Sequence, residues 1–429
     1  MQHAVRAARR LGGAAIALAA ALLVTSCAAG DRPAASHHEG TSTLSPGPGS
    51  NASQSPSATT AGTQGGHGNH GLHGEVASPP PPAPLRASER FVSLTLPQPY
   101  APAAPEGATD EYRCFLVDPG LTEPAFLTGS QFLPQNTDLV HHAILFRIGP
   151  EEVKAARELD ERTPSEGWTC FGDAGIEGGA WVGHWAPGAN ETLLTQKVGY
   201  PMPAGSRLIM QVHYNLLATG GKPGGTDRSG IRLRLADGGT HLTPLQTGEL
   251  AAPVELPCTA EESGPLCDRA AAIDDVAKRF GEQARQSVTE LGQYCGASRP
   301  PSAGPTQHCD QRTGQGGTIY ATAGHMHLLG RSIKIELNPG KPGAKTLLDI
   351  PSYNFDDQAI RPLAKPVAVK AGDTFRVTCT HDAGLRRLLP ALRDLPPRYV
   401  VWGEGTSDEM CLGLLVWSPG TGPAAVWND

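Results

Sequence analysis

Five histidines and one methionine carry the chemistry that stands out in this chain. In order they are His141 and His142 in LVHHAILF, His213 in QVHYN, His325 and His327 in GHMHLLG, and Met410 in SDEMC. Three imidazoles come early, and two imidazoles with a thioether come late. Such a pattern reads as two separate metal sites, one N₃ and one N₂S. Together they suit copper, because imidazole serves both oxidation states and the soft thioether favours Cu(I). Zinc would bring carboxylates or thiolates, and iron would bring carboxylates. Each piece alone has a blander reading: an incidental HH pair, an HxH on any strand, a methionine filling core space. The argument rests on the set and its order.

Strands must position these side chains. GHMHLLGRSIKIEL is an apolar, β-compatible run, and on a strand residues i and i+2 share a face. His325 and His327 therefore project together, with Met326 opposite. RLIMQVHYNLLA also reads as a strand, with His213 on the face of Ile209 and Gln211. Adjacent His141 and His142 would point apart on a regular strand. If both bind one metal, they sit at an irregular strand start or a bulge, and Thr137-Asp138 just before them is consistent with a chain entering a strand. The 429 residues suffice for two domains plus extras. The 52 glycines and 39 prolines suit loop-rich β structure and linkers. A net charge of −7 leaves no nucleic-acid footprint.

The words around these residues resemble the copper type II, ascorbate-dependent monooxygenases, typified by peptidylglycine α-hydroxylating monooxygenase and dopamine β-hydroxylase. The resemblance covers roughly residues 90–240 and 315–420 and includes WAPGA at 185–189. It implies a first copper held by His141, His142 and His213, and a second held by His325, His327 and Met410. It also implies a disulfide between Cys411, which follows the methionine, and Cys379 in FRVTCTHD on the preceding strand.

The departures bear on the substrate. The peptide-amidating branch grips a carboxylate with an Arg two residues before the HxH, where this chain has Ala323. That branch also carries an Asn and a Tyr shortly after the Met, where this chain has Leu412 and Leu414. A C-terminal glycine peptide is therefore not the expected substrate, and the small or apolar replacements point to a less polar one. His184 stands where relatives often carry an apolar residue; it reads either as an outer group of the site or as a satisfied core or surface histidine.

The N-terminus points to export. Arg6, Arg9 and Arg10 precede the apolar run LGGAAIALAAALLV and then VTSC, ending in Cys27. Residues 1–27 read as a lipoprotein signal peptide with Cys27 as the lipidated residue. Residues 28–87 are a low-complexity His/Gly/Ser/Pro-rich linker that cannot bury enough apolar surface to fold. Its His37, His38, His67, His70 and His73 read as polar linker residues or as a copper relay. SPPPPAPL at 78–85 reads as a stiff spacer. The expected location is extracytoplasmic, with the membrane reached through a lipid anchor only.

The expected fold class is all-β: two antiparallel β-sandwich, jelly-roll-like domains at 88–249 and 317–429. A helical, disulfide-containing insertion at 250–316 is expected between them, packed outside the sandwiches. Eight cysteines remain beside Cys27, and an even count in an exported chain reads as disulfides. Cys114 and Cys170 lie in the first domain and could pair. Relatives link the cysteine matching Cys114 to one that falls here on Arg228, so the local framework is rewired. In the insertion, Ile273, Val276, Phe280, Ala284, Val288 and Leu291 follow helical spacing, with Asp268 as N-cap and Gly292 as stop. A continuous helix of about 24 residues would span about 36 Å. That disfavours pairing Cys267 with Cys295 unless the helix folds back at Gly281, since a disulfide needs Cα atoms within about 7 Å. Cys258–Cys267 and Cys295–Cys309 are favoured.

The expected activity, implied by the resemblance, is hydroxylation of a C–H bond in a small-molecule substrate. It would use two copper ions, O₂ and an external reductant such as ascorbate, in a substrate cleft between domains. The alternatives are a non-catalytic copper-binding or delivery lipoprotein, and a copper-independent β-sandwich binding module.

Overall fold

The computed structural model describes residues 80–296 and 302–420, all within one compact unit. The expectations for the signal peptide, Cys27 and the linker histidines fall outside these residues. In chain order the first half supplies β1 (Glu89–Thr95), β2 (Asp110–Val117), β3 (Ala125–Leu133), β4 (Val140–Ile148), β5 (Trp168–Thr169), β6 (Ala180–Trp185), β7 (Glu191–Leu193), β8 (Val198–Met202), β9 (Arg207–Asn215), β10 (Gly230–Asp237) and β11 (Thr243–Pro244). One sheet runs β5-β2-β9-β4-β6. The other runs β1-β10-β3-β8-β11, with β7 beside β3. Neighbours are antiparallel except the short β11–β8 pair. Phe115, Leu145, Met210 and Val212 from one sheet meet Leu127, Leu233 and Leu235 from the other in a shared core. Each such side chain contributes about 1.5–3 kcal/mol on burial.

The second half supplies β12 (Gln246–Ala251), β13 (Glu255–Leu256), β14 (Thr306–Arg312), β15 (Gly317–His325), β16 (Gly330–Leu337), β17 (Lys345–Ile350), β18 (Arg361–Val369), β19 (Thr374–His381), β20 (Val400–Val401) and β21 (Leu412–Pro419). Its sheets run β12-β21-β15-β18 and β14-β19-β16-β17, with a β13-β20 ribbon. Leu250, Ile319 and Leu415 meet Ile333, Ile335, Phe375 and Val377 between them. The fold is thus all-β, built of paired sheets that are antiparallel throughout apart from the β11–β8 contact. Cys379 on β19 and Cys411 just before β21 are disulfide-bonded, which ties these two sheets together. Cys114–Cys170, Cys258–Cys267 and Cys295–Cys309 are also bonded. Four disulfides fit an oxidising, extracytoplasmic compartment. No helix among the described residues is long and apolar enough to cross a membrane.

Among the described residues the α-helices are α1 (Val153–Arg162), α2 (Arg269–Phe280), α3 (Glu282–Gly296) and the short α4 (Leu385–Leu388). Asp268 caps α2, its side chain accepting from the Ala271 N–H at 2.9 Å. The continuous helix is broken at Gly281, which sits at φ +87 and ψ 167, a conformation essentially reserved for glycine. The two helices then pack on each other. Gly292 does not stop the second helix, which continues to Gly296.

The helices lie against the face of the β12-β21-β15-β18 sheet that points away from the core between the second half's two sheets. Ile273, Val276, Phe280, Ala284, Val288 and Leu291 share one buried cluster with Trp402, Met410, Leu412 and Leu414. Their apolar stripe needed a partner, and it is the neighbourhood of Met410. The segment also includes β14, an edge strand of the second half's own sheet.

Candidate metal centre

The first cluster is assembled on β4 and β9, which are antiparallel neighbours. Their register shifts between Val140 and His142, so one extra residue occupies β4 there. That irregularity lets adjacent His141 and His142 turn to the same side, facing His213 on β9. One ring nitrogen from each of the three lies within 4.8 Å of the others. His141 Nδ1 is 3.2 Å from His142 Nδ1, and His142 Nδ1 is 3.2 Å from His213 Nδ1. All three residues are buried.

Hydrogen bonding decides which nitrogen of His213 faces inward. Its Nε2–H donates to Asp110 Oδ1 on β2 at 2.9 Å, which leaves Nδ1 bare. Tyr112 stacks flat on the His213 ring at 4.2 Å. Burial, followed by repulsion from His213 and the other histidines, holds His142 well below the ordinary imidazole range. Burial also lowers His213, against the pull of Asp110. Burial opposes ionisation of Asp110, yet its hydrogen bond from His213 and the Thr406 hydroxyl hold its carboxyl below the usual value. Neutral imidazoles with converging lone pairs are what a soft or borderline cation requires. No carboxylate belongs to this triad.

The second cluster forms where β15 ends. His325 is its last residue, and His327 lies just beyond, in a turn held by Glu409. The Glu409 carboxylate is fully buried and accepts from the His327 N–H at 2.9 Å and the Leu329 N–H at 2.6 Å. Both imidazoles still converge, with ring centroids 5.2 Å apart, while Met326 turns into the core. His327 Nδ1–H donates to the Asp408 carbonyl at 3.2 Å. Its Nε2 is buried with no hydrogen-bond partner, an orphan that a cation would satisfy. Burial first, and His327 second, push His325 down to about 3. Met410 follows Glu409, is 6% exposed, and is backed by His381, whose Nε2–H points at the Met410 carbonyl at 3.3 Å. In this half His327 thus presents a bare Nε2 near the Met410 thioether, whereas in the first half His213 presents Nδ1.

The two clusters are not separate. The His142 and His325 rings meet edge to face, 5.4 Å between centroids. A hydrogen-bonded route also joins them. Asp110, which holds His213, accepts from the Thr406 N–H at 3.1 Å and from the Thr406 hydroxyl, four residues before Met410. Beneath that loop, Arg279 of α2 makes two hydrogen bonds to Asp408, at 2.8 and 2.7 Å.

One cavity opens onto both clusters, with His142 on one side and His325 and Met410 on the other. Its walls are mostly apolar, and no Lys or Arg lines it among the described residues. Ala323, Leu412 and Leu414 all face it, with Phe280 of α2 opposite. Glu404 lines it as well. Burial, then the charge of Asp173, raises its carboxyl to about 8, so it is protonated at neutral pH. Asp110, Tyr112, Phe355, Gln358, Thr406 and Glu409 had no place in the sequence reading. Only Glu409, beside the methionine in SDEMC, stood within a motif that could have flagged it.

Residues 302–423 match the family model of the copper type II ascorbate-dependent monooxygenase C-terminal domain. This stretch includes His325, His327 and Met410. Likenesses to solved structures are slight. Allantoicase shares 12% identity over 74% of this chain and 90% of that one, with a TM-score of 0.17. A fucolectin from striped bass serum shares 8% over 78% and 97%, with a TM-score of 0.16. At those scores neither carries an argument.

Proposed function

We propose that this protein is a copper-dependent monooxygenase that hydroxylates a C–H bond of a small, largely apolar substrate with O₂ and an external reductant such as ascorbate. The observation that carries the reading is one cavity lined on one side by His142, a member of the three-histidine cluster, and on the other by His325 and Met410. The family match over residues 302–423 supports it.

Two copper ions, at His141/His142/His213 and at His325/His327/Met410, supply one-electron chemistry and reaction with O₂. The protein's own groups do the rest. Asp110 and Asp408 take the outward N–H of His213 and His327, and so fix which nitrogen each ring presents. Burial keeps His142, His213 and His325 neutral and available as donors. The apolar walls exclude water and place the substrate by shape. Without a lining cation there is no clamp for a substrate carboxylate, and protonated Glu404 adds a hydrogen-bond donor in place of a charge.

Oxygen uptake by copper-loaded and copper-free protein, with ascorbate and a panel of uncharged and anionic organic substrates, tests this. Copper-dependent, substrate-stimulated uptake with a hydroxylated product is expected. Copper binding without substrate-stimulated uptake would instead indicate a storage or delivery protein.

A further inference from the structure

The loop between β17 and β18, residues 351–360, touches both clusters. Its Phe355 ring stacks on His141 at 4.1 Å and presents an edge to His327. Three residues on, Gln358 is 5% exposed. Its Nε2 donates to the Phe355 carbonyl at 2.7 Å, and its Oε1 faces His325 Nδ1. Its backbone carbonyl faces His184 Nε2 at 3.2 Å. These partners fix the protons. The carboxamide NH₂ is committed to a carbonyl, so its oxygen is the atom that meets His325. An amide oxygen only accepts, so His325 Nδ1 carries the proton and Nε2 is left bare. His184 lies on β6, in the sheet that holds the first cluster, and donates to the same residue.

We propose that Gln358 is a positioning residue of the second cluster: it selects Nε2 of His325 as the metal donor and, through His184, registers that donor against the first cluster's sheet. The inference rests on the copper reading. It differs from that reading in naming a residue, outside both ligand sets, that decides how one ligand is presented. Outer partners of this kind typically change metal affinity by about 10–100-fold when removed.

The test is copper affinity by chelator competition, with Cu(II) electron paramagnetic resonance, on wild type, Gln358→Leu and Gln358→Glu. Thermal unfolding of the metal-free proteins is measured alongside. Gln358→Leu removes the acceptor and is expected to weaken one of two coppers by about 10–100-fold and to alter its spectrum, with the other unchanged. Gln358→Glu keeps an acceptor on Nδ1–H and is expected to retain that copper. Wild-type affinity and spectrum in Gln358→Leu would overturn the proposal. So would equal loss in both variants with normal unfolding, since that is the mark of a packing role. If Gln358→Leu fails to fold, Gln358→Glu decides alone: retention of the second copper supports the proposal and loss overturns it. A wild type that never binds a second copper would instead defeat the copper reading itself.

Discussion

Met410 is the residue at which a structural and a functional reading part most cleanly. It is buried within an apolar cluster, as a core methionine would be, and it also faces the cavity shared with His325. Met410→Leu conserves volume and should cost less than about 1.5 kcal/mol in stability. What it removes is a soft donor. Thermal unfolding should therefore stay near wild type while substrate-dependent oxygen uptake falls steeply. Full activity with unchanged copper affinity would return Met410 to the core. The histidines make a second, independent prediction. His142, His184, His213 and His325 are all held below 6.5 in the fold, His325 at about 3. A histidine so lowered is neutral when folded and gains a proton on unfolding. Its stabilisation is present above the unfolded value of 6.5 and is lost as pH falls toward the folded one. Lowered Asp110 and Asp408 act in the same direction at lower pH, against an opposite contribution from raised Glu404 and Glu111. The unfolding temperature of the metal-free protein should drop between pH 7 and pH 4.5; a flat or rising profile would contradict the neutral, buried cluster.

At the scale of elements, α2 and α3 are a wall of the site. Gly281 allows the bend that sets Phe280 and Ala284 against the cavity, and a Cβ there would meet nothing within 4 Å. Gly281→Ala therefore tests backbone strain without a clash. A loss of about 1–3 kcal/mol is expected, with reduced substrate turnover and copper binding intact; calorimetry and oxygen uptake on the variant check it. No change in stability would mean that the helices can realign without the bend. Residue spacing made much of this region legible. The amphipathic stripe and the Asp268 cap follow from residue spacing, and the two local disulfides agree with short sequence separation, whereas the one long helix expected between them is broken at Gly281. The direction in which the stripe faces does not, because an apolar stripe names no partner. The HxH pair was legible for a related reason: two residues apart on a strand forces a common face. The turn that carries His327 past the end of β15 depends on Glu409, 82 residues away, and no local pattern announces it.

At the scale of the whole molecule, the contact between clusters changes the picture drawn from sequence. Order along the chain separates an N₃ set from an N₂S set, and so suggests two sites. It is silent about how two sheet pairs meet. Long-range polar contacts join apolar packing of Ala321 and Val416 at that meeting: Asp110 to Thr406, Tyr112 to the Glu404 carbonyl, and His184 to the Gln358 carbonyl. None has a spacing signature. With His142 against His325, one cavity borders both clusters through His142, His325 and Met410.

Copper stoichiometry of the purified protein, measured on wild type, His213→Ala and Met410→Leu, tests that central claim most directly. The account predicts two coppers per chain in wild type. His213→Ala should lose about one, and Met410→Leu should keep the first copper while holding the second weakly enough for a chelator to strip it. Fewer than two coppers in wild type, or two tightly held coppers in both variants, would contradict it.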